Sequence, residues 1–184
     1  MTKKIGFIVG SLRTASYNKK VAHAFAELLP EDFEAFFLEI GNLPLYNEDL
    51  DAEGHIPVEW QAFRDQLMPL DGVFFFTPEY NRSVPGALKN ALDVGSRPYG
   101  QSSWDGKPAL VVSVSPGAIG GFGANHHLRQ SLVFLNMPTL QQPEAYIGGI
   151  NNLMDEDGNV QEGTLDYFKT IVGKYVEFFN KLKA

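Results

Sequence analysis

Short runs of apolar residues alternate along the chain with longer stretches in which apolar positions recur every three or four residues. The runs predict strands, and a run without alternation is typical of a strand buried on both faces of a parallel sheet. They occupy residues 5–9, 33–38, 73–76 and 108–114. The three- and four-residue spacing predicts amphipathic helices. These span residues 18–29, 58–68, 87–94, 124–135 and 163–182.

A fifth strand is expected at Thr139–Leu140 or, beyond Pro143, at residues 145–147. Strands that alternate with helices form a parallel sheet with right-handed crossovers. Five of each in 184 residues predict an α/β fold, a flavodoxin-like three-layer sandwich with the strand order 2-1-3-4-5. We expect residues 1–184 to form one domain whose ligand lies beyond the carboxyl ends of the strands.

The loop after the first strand has the composition of an anion-binding loop. Hydroxyl, guanidinium and amide donors follow the glycine that ends the apolar run: Ser11, Arg13, Thr14, Ser16 and Asn18. A helix begins there, and its first amides lack an intrahelical acceptor and carry the positive end of the helix dipole. The loop therefore predicts a phosphate site. The alternative is a helix with an ordinary N-cap, since serine and asparagine are common cap residues.

Two better-known phosphate loops do not match this sequence. A nucleotide P-loop requires a Lys-Ser/Thr pair, and a dinucleotide fingerprint requires three spaced glycines, whereas this loop has only Gly10. Hydroxyls and amides can surround the three oxygens of a terminal phosphate, whereas glycines let the backbone approach a pyrophosphate. A monophosphate, such as the tail of flavin mononucleotide (FMN), suits this loop better.

Two further polar loops follow later strands. Residues 77–86 follow the third strand, and the glycine-rich residues 115–123 follow the fourth. Glycine allows backbone to approach a flat ligand, although a merely flexible loop has the same composition. In the order 2-1-3-4-5 the first, third and fourth strands are neighbours, so the three loops are expected to meet at one edge of the sheet.

Composition removes several classes of function. The chain has no cysteine, which excludes disulfides, thiolate metal sites, iron–sulfur clusters and cysteine nucleophiles, so redox chemistry would need a cofactor. A formal charge of −7 argues against nucleic acid as a partner. No stretch approaches the roughly 20 apolar residues of a membrane span, and the run after Lys3-Lys4 is too short for a secretory signal, so we expect no membrane partner and a cytoplasmic location.

Metal and hydrolase sites are also disfavoured. We expect residues 39–57 to form a flap. Its carboxylates are Glu48, Asp49, Asp51 and Glu53, which we interpret as a solvated surface rather than a calcium loop. Residues 155–159 are interpreted as a β-turn, since Val160 stands where a calcium loop needs glycine. Adjacent His126 and His127 would point about 100° apart on a helix, and no G-x-S-x-G elbow accompanies them.

Three stretches together resemble one known family. They are Ser11-x-Arg13-x-x-Ser16-x-Asn18, residues 78–93 beginning Pro-Glu-Tyr-Asn, and Gly117-x-x-Gly120-Gly121. The combination is similar to the NADPH-dependent FMN reductases, especially the bacterial quinone and chromate reductases. The likeness extends through essentially the whole chain, including residues 127–130 and 163–165.

The resemblance implies FMN as cofactor and NADPH or NADH as electron donor. The phosphate would be held by Ser11, Arg13, Ser16 and Asn18, with Tyr17 among the same cofactor-binding residues. The flavin and ribityl chain would be lined by Pro78, Glu79, Tyr80 and Asn81, with Ser83 nearby, and the other part of the ring by Ser115, Gly117, Gly120 and Gly121. Residues 122–126 depart from the pattern at a point where relatives vary, which leaves the nicotinamide and acceptor preferences open.

The implied activity is a ping-pong transfer of two electrons from NAD(P)H through FMN to quinones or similar acceptors, with azo compounds, chromate and free flavin also possible. The cofactor carries the chemistry, so we expect no dedicated catalytic side chain. A homodimer or homotetramer is implied, with the flavin near a subunit boundary. The main alternative is a flavodoxin-type FMN electron carrier that does not oxidise NAD(P)H. A receiver-type signalling domain is disfavoured because residues 10–13 replace its acidic pocket.

Overall fold

The computed structural model describes residues 2–52 and 54–183. The strands are β1 (Lys3–Val9), β2 (Phe33–Leu38), β3 (Gly72–Thr77), β4 (Ala109–Val114) and β5 (Ala145–Ile147). The helices are α1 (Tyr17–Glu27), α2 (Val58–Leu67), α3 (Gly86–Gly95), α4 (Phe122–Phe134) and α5 (Glu162–Lys183). Short 3-10 helices lie at Glu48–Leu50 and Ile150–Asn152. None of the helices within these ranges combines the length and apolarity needed to cross a bilayer.

The five strands form one parallel sheet in the order β2-β1-β3-β4-β5, which confirms the predicted topology. The fifth strand occupies the second of its two predicted positions, where Ala145 pairs with Val112. At the first position, Thr139 forms only an isolated parallel bridge to Ala109. The carboxyl ends of β1, β3 and β4 are therefore adjacent at one edge of the sheet.

Continuous apolar strands are required because helices cover both faces of the sheet. Successive side chains of a strand point to opposite faces. On one face, Phe74 packs edge-on against Tyr175 of α5, with ring centroids 4.5 Å apart. On the other face, Phe75 packs against Trp104 at 5.8 Å. Each such fully buried side chain contributes about 1.5–3 kcal/mol, so two apolar layers stabilise the sheet.

The acidic segment 39–57 is fastened to the helices rather than solvated throughout. Glu48 and Asp49 are exposed as predicted, but for Asp51 the prediction of a solvated carboxylate is wrong. Its two oxygens accept hydrogen bonds of 2.8 and 2.9 Å from Arg64 of α2, and both side chains are only 5% exposed. The Arg64 Nε also donates to the Val94 carbonyl of α3, so this buried cation requires a nearby carboxylate. Glu53 lies outside the described residues.

The second acidic stretch forms the predicted turn. The Asp155 Oδ1 accepts a 2.8 Å hydrogen bond from the Asn159 amide, and Met154 bridges to Val160 on the far side of the turn. The side-chain carboxylate of Asp155 is thus used to close the turn. This confirms the interpretation of residues 155–159 as a β-turn.

Candidate functional site

The three polar loops meet at the carboxyl edge of the sheet around a cavity of about 140 Å³. Nine of the fourteen predicted cofactor-binding residues line it: Ser11, Arg13, Ser16, Tyr17, Asn18, Pro78, Glu79, Tyr80 and Ser115. Val114 and Pro116 complete the wall. The other predicted residues, Asn81, Ser83, Gly117, Gly120 and Gly121, lie in the same loops but outside this lining.

Ser16 is the N-cap of α1, and its Oγ accepts a 3.2 Å hydrogen bond from the Lys19 amide. The ordinary-cap alternative is therefore observed, but it does not compete with anion binding. The serine hydroxyl proton remains available to a ligand, and the amides of Tyr17 and Asn18 have no intrahelical acceptor. The first turn of α1 carries no acidic residue, so nothing there neutralises the helix dipole.

Two side chains in this cavity have unused hydrogen-bonding capacity. Asn18 is 4% exposed, and its Oδ1 has no hydrogen-bond partner among the described residues. The oxygen and nitrogen of such an amide are assigned from their partners, so the group can present either atom. Arg13 is exposed and forms no ion pair within residues 2–52 and 54–183. A phosphate fits these residues, because an unsatisfied buried polar group costs about 1–3 kcal/mol.

A tight turn shapes the loop after β3. The Tyr80 amide donates to the Ser83 carbonyl at 2.9 Å and the Ser83 amide donates back at 3.0 Å. Between them Asn81 and Arg82 have φ values of 51° and 65°, the positive φ pair of a type I′ turn. Two successive non-glycine residues in this conformation store backbone strain. The turn leaves the Asn81 and Arg82 amides outside the hydrogen bonds of the described chain, and Tyr80 is 46% exposed.

Glu79 links two of the loops through its carboxylate. Its Oε2 accepts a 3.1 Å hydrogen bond from the Ala124 amide in the first turn of α4. Its Oε1 accepts a 3.0 Å bond from the Arg82 guanidinium. Although Glu79 lines the cavity, its side chain is committed to α4 and only 12% exposed. It therefore sets the position of the 77–86 loop relative to the glycine-rich loop.

The glycine-rich loop uses its glycines partly to pack against the protein itself. Gly120 and Gly121 have φ values of +63° and +74° and are buried. A Cβ at Gly120 would lie 2.8 Å from the Tyr146 carbonyl carbon, and one at Gly121 would lie 3.0 Å from Ser113 Cβ. Close approach of β5 and β4 thus explains both glycines. Gly117 is exposed, and its amide donates to the Ser115 Oγ at 3.0 Å.

Sequence reasoning missed a polar and aromatic cluster beside these loops. His126 Nε2 lies 2.9 Å from the Tyr146 hydroxyl, and Phe122 packs against both rings. His127 Nδ1 lies 3.0 Å from the Ser83 Oγ, so α4 contacts the loop after β3 a second time. Burial and the Glu144 carboxylate raise the pKa of Tyr146 to about 12. The adjacent histidines are the available sequence signal, but the sequence argues only against their roles in a metal site or a hydrolase site and does not indicate contacts with Tyr146 and Ser83. No set of three metal-ligating residues occurs in the described ranges.

Comparison with known proteins gives a consistent result. The sequence model of the family described as "NADPH-dependent FMN reductase" matches residues 3–152. A quinone reductase of Pseudomonas putida is 57% identical over 180 residues, which cover 98% of this chain and 96% of that protein. A 2-hydroxy-1,4-benzoquinone reductase of Burkholderia sp is 48% identical and covers 95% of both chains.

A solved structure extends the similarity to three dimensions. The flavoenzyme NAD(P)H:(acceptor) oxidoreductase FerB of Paracoccus denitrificans superimposes with a TM-score of 0.90. Its sequence is 39% identical, and the match covers 98% of each chain. The similarity therefore includes all three loops and the sheet that positions them.

Proposed function

This chain belongs to the NADPH-dependent FMN reductase family, and from that premise we propose that it is a quinone reductase that uses FMN and NAD(P)H. Relatives that are 57% and 48% identical are named as quinone reductases, which supports a quinone as the acceptor. The observation that carries the site assignment is the cavity between the three loops, which is lined by Arg13, without an ion pair among the described residues, and by Asn18, whose Oδ1 has no hydrogen-bond partner among them.

In this proposal the α1 end of the cavity holds the FMN phosphate. Its oxygens accept hydrogen bonds from Ser11, Arg13, Ser16 and Asn18. The backbone amide of Tyr17, the first residue of α1, points toward the same phosphate. The two negative charges of the phosphate are stabilised there by the dipole of α1 and by the Arg13 guanidinium. The formal charge of −7 on the whole chain does not oppose this binding, because exposed charges are screened beyond about 8 Å.

The flavin ring would lie over the ends of β3 and β4. Pro78, Tyr80 and Ser115 would line it, while Glu79 would fix the distance between the two loops that flank it. The Asn81 and Arg82 amides would face the polar edge of the ring with Ser83 nearby, and Gly117, Gly120 and Gly121 would flank the ring on the other side. FMN held there would supply the redox chemistry by which NAD(P)H and one proton from water convert a quinone to the hydroquinone, with NAD(P)+ as the oxidised product. No side chain is assigned an acid–base role.

Anaerobic reduction of the FMN-loaded protein tests this function. After FMN addition and desalting, we expect the flavin absorbance to be retained and then to bleach with one equivalent of NADPH. Addition of a benzoquinone should restore the absorbance in a second half-reaction. Stopped-flow absorbance spectroscopy checks both steps. Retained flavin that NADPH leaves unbleached would support the electron-carrier alternative instead.

We also propose that the protein works as a homodimer or homotetramer, as one FMN-binding domain per chain, in the cytoplasm where NADPH is supplied. An exposed apolar surface supports assembly. Tyr99 and Phe134 are 88% and 86% exposed and face one hollow between residues 95–106 and the end of α4. Val133, next to Phe134, is 77% exposed. Exposed apolar clusters of this kind mark interaction surfaces.

Sedimentation velocity combined with activity checks the assembly. We expect the wild-type protein to sediment as a dimer or tetramer, and Phe134→Asp to shift it toward the monomer with loss of activity. Leu182→Asp, which changes a 45% exposed residue near the end of α5, is the matched control and should sediment as wild type. Full specific activity in a monomer would contradict the proposal.

A further inference from the structure

A larger cavity adjoins the first one on the far side of the β1 loop. Its volume is about 650 Å³, and it lies between α1 and the residues that follow β1 and β2. Ser11 and Arg13 line both cavities, so only the β1 loop separates them. The assigned FMN site does not use this space.

The lining of this second cavity favours an anionic ligand. Arg13, Lys19 and His23 supply basic groups, and Lys19 forms no ion pair among the residues that the structure describes. The one carboxylate in the lining belongs to Glu39, whose Oε1 already accepts a 2.6 Å hydrogen bond from the Gly41 amide. The net local charge is therefore positive on a chain whose formal charge is −7.

The same cavity also offers a flat apolar wall. The His23 and Phe37 rings stack with centroids 4.5 Å apart and an interplanar angle of 26°. Phe37 is 41% exposed, and Leu12, which packs over Gly41, is 56% exposed. An exposed aromatic face next to basic side chains suits a ligand that joins a planar ring to a phosphate.

The position of this cavity relative to the sheet identifies such a ligand. The cavity lies beyond the end of β2, the FMN phosphate site beyond β1, and the flavin site beyond β3 and β4. From β2 to β4 is three strand spacings, about 14 Å in all. Dinucleotides lie across the carboxyl edge of doubly wound sheets in this way. A dinucleotide with its nicotinamide over the flavin can therefore reach β2 with its other end.

We propose that this cavity binds the 2′-phosphoadenosine end of NADPH, with Lys19 contacting the 2′-phosphate and the adenine packing against the exposed side of the stacked His23 and Phe37 rings. The inference rests on the proposed use of NADPH as donor and adds the residue that favours it over NADH. The two nicotinamide nucleotides differ only in the 2′-phosphate. Loss of Lys19 should therefore affect one donor and not the other.

Fragment binding to the FMN-saturated protein tests this site without catalysis. Calorimetry would compare adenosine 2′,5′-bisphosphate with adenosine 5′-monophosphate, which lacks the 2′-phosphate. We expect the wild-type protein to bind the bisphosphate more tightly. Lys19→Met should weaken binding of the bisphosphate about tenfold, which corresponds to the loss of one charge-assisted contact. The affinity for the monophosphate should stay within twofold of the wild-type value. In steady-state assays the KM of Lys19→Met for NADPH should rise by the same factor as the dissociation constant of the bisphosphate, with kcat and the KM for NADH unchanged.

Lys20→Met is the matched control. Lys20 is the next residue of α1 and carries the same charge, but its Nζ donates to the Gly158 carbonyl on another face. It should change neither fragment affinity. Equal effects of the two variants, or equal wild-type affinity for both fragments, would overturn the proposal. Release of FMN into the ultrafiltrate by the bisphosphate would also overturn it, since the fragment would then occupy the FMN phosphate site. None of these results depends on whether NADPH bleaches the flavin, so the two proposals fail separately.

Discussion

Replacing Arg13 with alanine should weaken FMN binding about 100-fold and leave riboflavin binding within twofold. Arg13 lines the cavity at the start of α1 and has no carboxylate partner in the described chain. A charge-assisted hydrogen bond contributes about 1.5–3 kcal/mol, and each 1.4 kcal/mol is tenfold in affinity. Riboflavin lacks the phosphate, so it cannot lose this contact. Fluorescence titration of the desalted protein with each flavin measures both dissociation constants.

The control for this variant is Lys169→Ala. Lys169 is an exposed residue of α5 that does not line the cavity, and its loss removes the same charge from the chain. FMN affinity should be unchanged in this variant. An equal loss of FMN and riboflavin in Arg13→Ala would instead mean that Arg13 supports the loop and does not contact the phosphate.

The variant Asp51→Ala should lose about 3–5 kcal/mol of unfolding free energy. It leaves the Arg64 guanidinium, 5% exposed, without the carboxylate that accepts two of its hydrogen bonds. An uncompensated buried charge is costly because the surrounding helices exclude the water that would solvate it. Urea denaturation followed by circular dichroism measures the loss.

Two further variants define the cause. In the double variant Asp51→Ala/Arg64→Met the charge is absent, so most of the stability should return. Glu177→Ala breaks the exposed pair with Lys174, whose side chains are 52% and 58% exposed, and should cost less than about 1 kcal/mol. If Asp51→Ala cost no more than Glu177→Ala, the segment 39–57 would be loosely held in solution.

The glycines after β4 show that a close backbone approach need not involve a ligand. The glycine-rich composition of residues 115–123 predicts a close approach of the backbone, with a flat ligand as the predicted neighbour. The structure shows that Gly120 and Gly121 approach β5 and β4, because a Cβ there would meet Tyr146 and Ser113. The glycines in the sequence indicate that the backbone approaches a neighbouring group closely. They do not reveal which neighbour, since β5 is 24 residues further along the chain.

Glu79 and Asp51 illustrate the same limit for charged residues. The family resemblance predicts Glu79 beside the flavin, and composition predicts Asp51 on a solvated surface. The structure shows one carboxylate on the α4 amide of Ala124 and the other on Arg64. Each partner is distant in sequence or separated from the carboxylate by a loop. Sequence does not identify these partners, because a carboxylate accepts hydrogen bonds from whichever donors the folded chain brings near it.

The sequence by itself determined the order of elements, the parallel sheet and the loops that form the site. Apolar runs without alternation require burial on both faces, and the hydroxyls after β1 mark a helix start that can bind phosphate, so both properties are local. The tertiary structure alone decided which residues of those loops face the cavity and which contact α4 and β5 instead. It alone also placed a second, basic cavity beside the first. Those properties depend on contacts between distant segments, and such contacts form only when helices and strands pack.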